Sequence, residues 1–455
     1  MKKIAVALVL AFSFYQAEAQ NYADSVAFRK IFNEVLTNGE CYDWLHDLCK
    51  DVGHRLSGSP QADMAVRWGE AVMREAGFDS VWLQPVMVPK WVRGQKEYAE
   101  ILGVGQVDVL ALGGSIATPT DGITAQVVYA ETFDDLEKLG REKIAGRIVF
   151  FNEYFDPTNI NTFESYGQCV PYRWKGASEA AKYGAAAVVI RSVGSAYDDF
   201  PHTGSMRYLD PEQQIPAVAL STMDADVLKE ALQQNADLQF RLVTYSQTLE
   251  MVPSFNVIGE LRGTTYPDEV LVVGGHLDSW DVGEGAHDDG AGCVQSMEVL
   301  RTLRASMGQP KRTVRCVLFM NEENGVKGGH AYADWAGTTG QKNLFAMESD
   351  AGGFTPRGFS LTDSAYVSYF QGLKPLFEPY NIHYIEYGYG GTDIHPLEDH
   401  GTLMAGLVPD SQRYMDYHHT ENDIFEHVNK RELELGAGTM ACLVWYISEY
   451  GLPVH

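Results

Sequence analysis

Glu269–Gly292 reads EVLVVGGHLDSWDVGEGAHDDGAG, and the way this stretch ends says more about the fold than the way it begins. Val270 to Gly274 is an apolar, β-branched run of strand length that delivers His276 and Asp278 just as it stops. A loop broken by Gly283 and Gly285 then brings Asp288 and Asp289 back toward the same place. Histidine with carboxylates suits a zinc-class cation. Asp278, two residues after His276, is placed to accept the second imidazole N–H and fix the ring. Alone the pair decides little, since histidines at strand ends are more often structural or exposed than ligating.

Working outward, the same pattern repeats. Thr313–Met320 (TVRCVLFM) is a second buried-strand run and ends in Asn321-Glu322-Glu323-Asn324-Gly325. Leu344–Ser349 is a third, followed by Asp350-Ala351-Gly352-Gly353. Each acid taken singly reads as a solvated loop residue. Three strands that all release polar residues at their carboxyl ends point to something narrower, because open parallel α/β sheets gather ligands there. Tyr417-His418-His419-Thr420 supplies two further imidazoles downstream.

Together these motifs resemble the M28 family of co-catalytic dizinc peptidases. HLDSWDVGEGAHDDGAG (276–292), NEENG (321–325), ESDAGG (348–353) and HHTENDIFEHV (418–428) stand in that family's order and at roughly its spacing. GHRLSGSP (53–60) and LALGGS (110–115) are similar to its carboxypeptidase Q-like branch. The resemblance implies an α/β fold: a three-layer αβα zinc-peptidase domain with a mostly parallel central mixed sheet. It implies two zinc ions per chain, one on His276 and Asp350, the other on Glu323 and His419, with Asp288 bridging. A shared carboxylate and hydroxide offset the repulsion of dications about 3.5–4 Å apart. Cobalt or manganese can occupy similar ligand sets. Glu322 is then the general base, and it can differ in role from Glu323 because successive side chains of an extended segment point opposite ways.

The family also implies a cis peptide at Asp288–Asp289. Its ligand histidine directly precedes Ser or Thr, which selects His419 and leaves His418 to line the pocket; Asp423 is expected to support that loop by hydrogen bonding. A glycine-rich loop in the family lines the specificity pocket, which makes Asp393 and His395 of YGYGGTDIHP (387–396) candidates for substrate contact. The implied activity is hydrolysis of short peptides, and of dipeptides with free termini in the carboxypeptidase Q-like branch. Aminopeptidase action on longer peptides is the first alternative. Cyclisation of N-terminal glutamine and a non-catalytic binding role are weaker, since ligands and base are all in place.

The rest of the chain sets the frame. Lys2 and Lys3 before the apolar run Ile4–Phe14, with Ala17-Glu18-Ala19 after it, have the pattern of a secretory signal peptide over 1–19, so export to the periplasm or beyond is expected. No run is long enough to span a bilayer, and no membrane anchor is expected. A formal charge of -26 argues against nucleic acid or anionic membrane as partner; a homodimer is left open. Six cysteines are too few and scattered for a disulfide scaffold, and Cys41 and Cys49 lie more than two helical turns apart. Phe28, Ile31, Phe32 and Val35 share a helix face; Ser59-Pro60 caps and starts a second helix; Trp68 and Trp91 read as packing residues. Residues 20–118 form the first part of the catalytic domain. From Pro119 to about 249, short runs such as Ile123–Tyr129, Arg147–Asn152 and Ile215–Leu220, with an Ala-rich helix at Ala177–Tyr183, resemble a β-rich protease-associated insert. His202 in it reads as an exposed loop residue. The catalytic domain resumes over 250–455, and its last helix carries the core stripe Leu433, Met440, Val444 and Ile447 behind an Asn429–Glu432 cap.

Overall fold

The strand that opens the site, Tyr266–His276, lies in the middle of an eight-stranded sheet. Its parallel neighbours are Arg312–Phe319 on one side and Lys342–Glu348 on the other, and Leu403–Pro409 continues the parallel run. Gln247–Leu261, antiparallel to the core, pairs antiparallel with the edge strand Ser80–Val92 on one side, and on the other Pro356–Leu361 runs antiparallel to Leu403–Pro409 and parallel to Tyr384–Tyr387. This is the expected mostly parallel mixed sheet. The computed structural model describes residues 22–453, so the signal-like segment 1–19 lies outside the described residues.

Burial on both faces explains why the central strands read as continuous apolar runs instead of alternating ones. Leu271 and Val273 face the large core built with the helices Ala291–Met307 and Lys430–Tyr450, while Val270 and Val272 face a smaller core around Tyr332 and Ala333 of the helix Lys327–Ala336. Asn429 caps the last helix through its side-chain oxygen, which accepts the N–H groups of Arg431 and Glu432. Helix 22–38 and the helix Pro60–Glu75, capped by Ser59 and opened by Pro60, join the larger core. All six cysteines are buried free thiols. Among the described residues no helix is long and apolar enough to cross a membrane.

A second eight-stranded sheet forms the other unit, with Ile123–Ala130, Ile148–Phe151, Ala187–Arg191 and Ala217–Leu220 parallel at its centre. It begins at Tyr98 and not after Thr118, because Tyr98–Ile101 pairs with Gln239–Val243 and Val109–Ala111 pairs with Ala217–Leu220. Those early strands are too short to announce their partners locally. Besides its strands the unit carries three helices, Phe133–Ile144, Thr162–Ala181 and Thr222–Gln234. The Ala-rich piece read from sequence is only the end of the second, whose start is hidden by Gly167 and Pro171. That start proves important below.

Candidate metal centre

Each of the four parallel central strands ends at one place. His276 is the last residue of its strand; Glu322 and Glu323 follow Arg312–Phe319; Asp350 follows Lys342–Glu348; and Leu403–Pro409 leads through a short turn and helix to His418 and His419. Asp288 arrives by the loop from His276 and faces both imidazoles. Its Oδ1 lies 3.1 Å from His276 Nε2 and its Oδ2 lies 3.2 Å from His419 Nε2. Asp350 Oδ1 stands 3.4 Å from His276 Nε2, and Glu323 Oε2 stands 3.2 Å from His419 Nε2. His418 stacks on His419 with centroids 3.5 Å apart, but its Nε2 is 3.8 Å from Asp288. The peptide between Asp288 and Asp289 is cis.

This donor set fits a cation on three counts. Donors each about 2.1 Å from one tetrahedral ion stand about 3.4 Å apart, close to the spacing seen. Asp288 Oδ2 and Glu323 Oε1 are buried without a hydrogen-bond partner among the described residues. The third count is electrostatic. Burial would keep His419 neutral, yet Glu323 and Asp288 raise it to about 9, and Asp350 and Asp288 likewise hold His276 well above its ordinary value against burial. Burial, with Asp288 beside it, pushes Glu323 up to about 7, and burial also raises Glu322 well above its ordinary value, with His276 opposing. A pocket that draws protons onto imidazoles and neutralises its own glutamates is short of positive charge, which a dication would supply.

The supporting contacts differ from expectation at four residues. Asp278 does not hold His276 with its carboxylate, which lies 4.0 Å away; His276 Nδ1–H donates instead to the Asp278 backbone oxygen at 2.9 Å. The carboxylate turns the other way and accepts the N–H groups of Asn321 and Glu322 at 2.7 and 3.1 Å, clamping the loop that carries both glutamates. The glycine-rich loop does meet the cavity, but through Tyr389, Gly390, Gly391 and Thr392. Glu348 accepts the N–H groups of Thr392, Asp393 and Ile394, and this folds Asp393 inward to full burial and leaves His395 facing solvent beside Glu398. Neither lines the cavity, whereas His418 does. His202, expected on the surface, is 1 % exposed, and its Nδ1–H donates to the His418 carbonyl at 2.8 Å.

Asp423 behaves as expected, accepting the N–H groups of His287 and Asp288. Asp289 ties the strand end to the following helix by accepting from His276 N and Gly292 N. Arg55, fully buried, donates to the carbonyls of Leu277, Glu284 and Gly285 and so holds the loop that returns Asp288. Sequence reading passed over Arg55 and Glu348 although both sit inside the quoted motifs. It also passed over Arg173 and Tyr166, on the helix start concealed by Pro171. Arg173 donates to the Tyr166 hydroxyl at 2.7 Å, lies 3.3 Å from His419 Nδ1, and lines a cavity of about 1160 Å³ that opens onto Glu322, Asp288 and Asp350.

Residues 256–444 match the family model described as peptidase family M28. Human carboxypeptidase Q is 35% identical over 411 residues, covering 90% of this chain and 85% of that protein. A peptidase M28 precursor from Shewanella amazonensis has the same fold at a TM-score of 0.91 and 33% identity, covering 96% of this chain and 99% of that one. Aminopeptidase YwaD of Bacillus subtilis is more distant, at 24% identity over 89% of this chain and 83% of its own length. With likeness of this extent spanning both sheets as well as the metal-type cluster, the chain belongs to peptidase family M28.

Proposed function

We propose that the protein is an exported, zinc-dependent exopeptidase that hydrolyses dipeptides or short peptides with a free carboxyl terminus. The observation that carries the reading is the convergence of His276, Asp288, Glu323, Asp350 and His419 at the carboxyl ends of parallel strands, beneath a cavity. His276 and Asp350 would hold one ion and Glu323 and His419 the other, with Asp288 shared. Bound there, a pair of zinc ions supplies Lewis acidity for the attacking water and the scissile carbonyl. Glu322 faces the cavity, takes the proton from the water and returns it to the leaving amine. Asp278 keeps Glu322 in place through the backbone.

Preference for a free carboxylate is supported by Arg173. Its buried guanidinium lines the cavity, and Gly204 makes room for it, since a Cβ there would come within 2.6 Å of the guanidinium carbon. A guanidinium lining the cavity beside the metal-type cluster suits a substrate carboxylate. Carboxypeptidase Q, the relative named above, is consistent with this. Aminopeptidase action on longer peptides is the second reading, favoured by a cavity of about 1160 Å³, above the roughly 300–1,000 Å³ usual for small ligands. Assay of a dipeptide panel against aminoacyl-amides and longer peptides separates the two. Turnover of dipeptides, lost when the terminal carboxylate is amidated, supports the first; indifference to amidation overturns it.

A further inference from the structure

The two imidazoles of the cluster are held from behind in different ways. His276 is oriented within its own loop, by the Asp278 carbonyl two residues on. His419 is oriented from the second unit: its Nδ1 lies 3.2 Å from the Thr203 carbonyl oxygen, and its own carbonyl accepts the Thr203 N–H at 3.0 Å. Arg173 also approaches His419 Nδ1, but once Nε2 faces a cation the proton sits on Nδ1, which can then only donate, and Thr203 O is the acceptor. His419 has φ 64, a conformation that side chains other than glycine rarely adopt and that its neighbours must therefore hold in place.

His202 locks the same turn one residue earlier. Its Nδ1–H donates to the His418 carbonyl, and its backbone N–H is anchored at 2.8 Å on the Ser192 hydroxyl. The ring occupies a seat that glycine leaves open, since a Cβ on Gly194 would lie 2.3 Å from it. Thr203 Oγ1 donates to the Ala111 carbonyl and Gly113 N–H donates to the Gly204 carbonyl, so the loop is tied to the second sheet on both sides of the contact. Ser195 repeats the join, its N–H on the Met415 carbonyl and its hydroxyl on Asp416.

We propose that His202 and Thr203 make the second unit an integral part of one metal position: they are positioning residues for His419, so occupancy of the Glu323–His419 position depends on this loop while the His276–Asp350 position does not. The inference rests on the two-metal reading above and assigns the second unit a role in one metal position.

The test measures metal, not turnover. Wild type, His202→Leu and His202→Asn are loaded with zinc, dialysed against graded chelator and assayed for bound metal and for the melting temperature of the metal-free form; cobalt loading reports each site's visible spectrum. His202→Leu fills the seat but removes the donor, and it should weaken one of the two ions by about 10–100-fold while the other ion and the metal-free melting temperature stay as in wild type. His202→Asn places an amide N–H near the same point and should restore much of the loss. If His202→Leu does not fold, His202→Ala serves in the same comparison. Equal weakening of both ions, no weakening, or failure of Asn to improve on Leu overturns the inference. A wild type that binds a single ion overturns the two-metal reading and this inference together, which distinguishes that failure from the others.

Discussion

Glu322 and Glu323 are adjacent, yet only Glu323 points an oxygen at His419, while Glu322 faces the open cavity. That division predicts a clean separation on substitution. Glu322→Gln should keep full metal content and lose turnover by at least about 10²–10⁴-fold, read from steady-state kinetics beside metal analysis; retained activity would remove Glu322 as the base. Asp278 makes a sharper case, since its carboxylate serves the Asn321–Glu322 backbone and only its carbonyl serves His276. Asp278→Ala should therefore leave metal affinity at His276 within a few-fold of wild type and lower kcat by roughly 10–100-fold through a loosened Glu322. A variant that instead loses metal in proportion to activity would restore the carboxylate as the imidazole's partner.

Among the elements, the helix Ala291–Met307 starts directly under the site, and its first turn is packed tightly enough to require glycine. A Cβ on Gly292 would lie 1.8 Å from the Ser349 carbonyl oxygen and 2.5 Å from the Asp289 carboxylate. Gly292→Ala should cost about 1–3 kcal/mol of stability, seen as a lower melting temperature, with weaker metal binding because Asp289 also holds His276 N. Away from the site, Asp79 joins the start of the edge strand Ser80–Val92 to Arg262 N–H, Gln309 and Arg304. Partial burial works against its charge, but those three partners hold its carboxyl below the ordinary 3.8. A depressed folded-state pKa contributes stability above the unfolded value and loses it as pH falls through the folded one. The difference in melting temperature between wild type and Asp79→Asn should then be constant near neutral pH and shrink below about pH 4. A difference that persists unchanged into acid would mean the contacts do not depend on the charge.

Over the whole molecule, the buried carboxylates around Asp288 repel one another; Glu323 and Asp288 raise His419, and Asp350 and Asp288 raise His276, to compensate. Removing metal should lower the melting temperature, and readding zinc should restore it, since an ion at about 1,000 times its Kd adds about 4 kcal/mol; equal melting temperatures for both forms would speak against metal in this cluster. The sheet that gathers these groups is legible in outline in the sequence, and so are the residue types at its rim. Val270–Gly274, Thr313–Met320 and Leu344–Ser349 are local apolar runs that stop at polar residues, and a strand's identity and end are written in its own few positions. Directions and long-range partners were not written there. Which end of Asp278 meets His276, why Asp393 turns inward under Glu348, and how Arg173 reaches the cavity all depend on segments that fold onto one another. His202 shows the limit most plainly: nothing beside it marks it as buried, and its partner lies 216 positions away. Sequence by itself determined the strands, the polar residues they release and the family pattern they form, because those are properties of short segments. Tertiary structure alone decided how the second unit grips the His418–His419 turn, because a hydrogen bond across that separation exists only once the two sheets have been packed together.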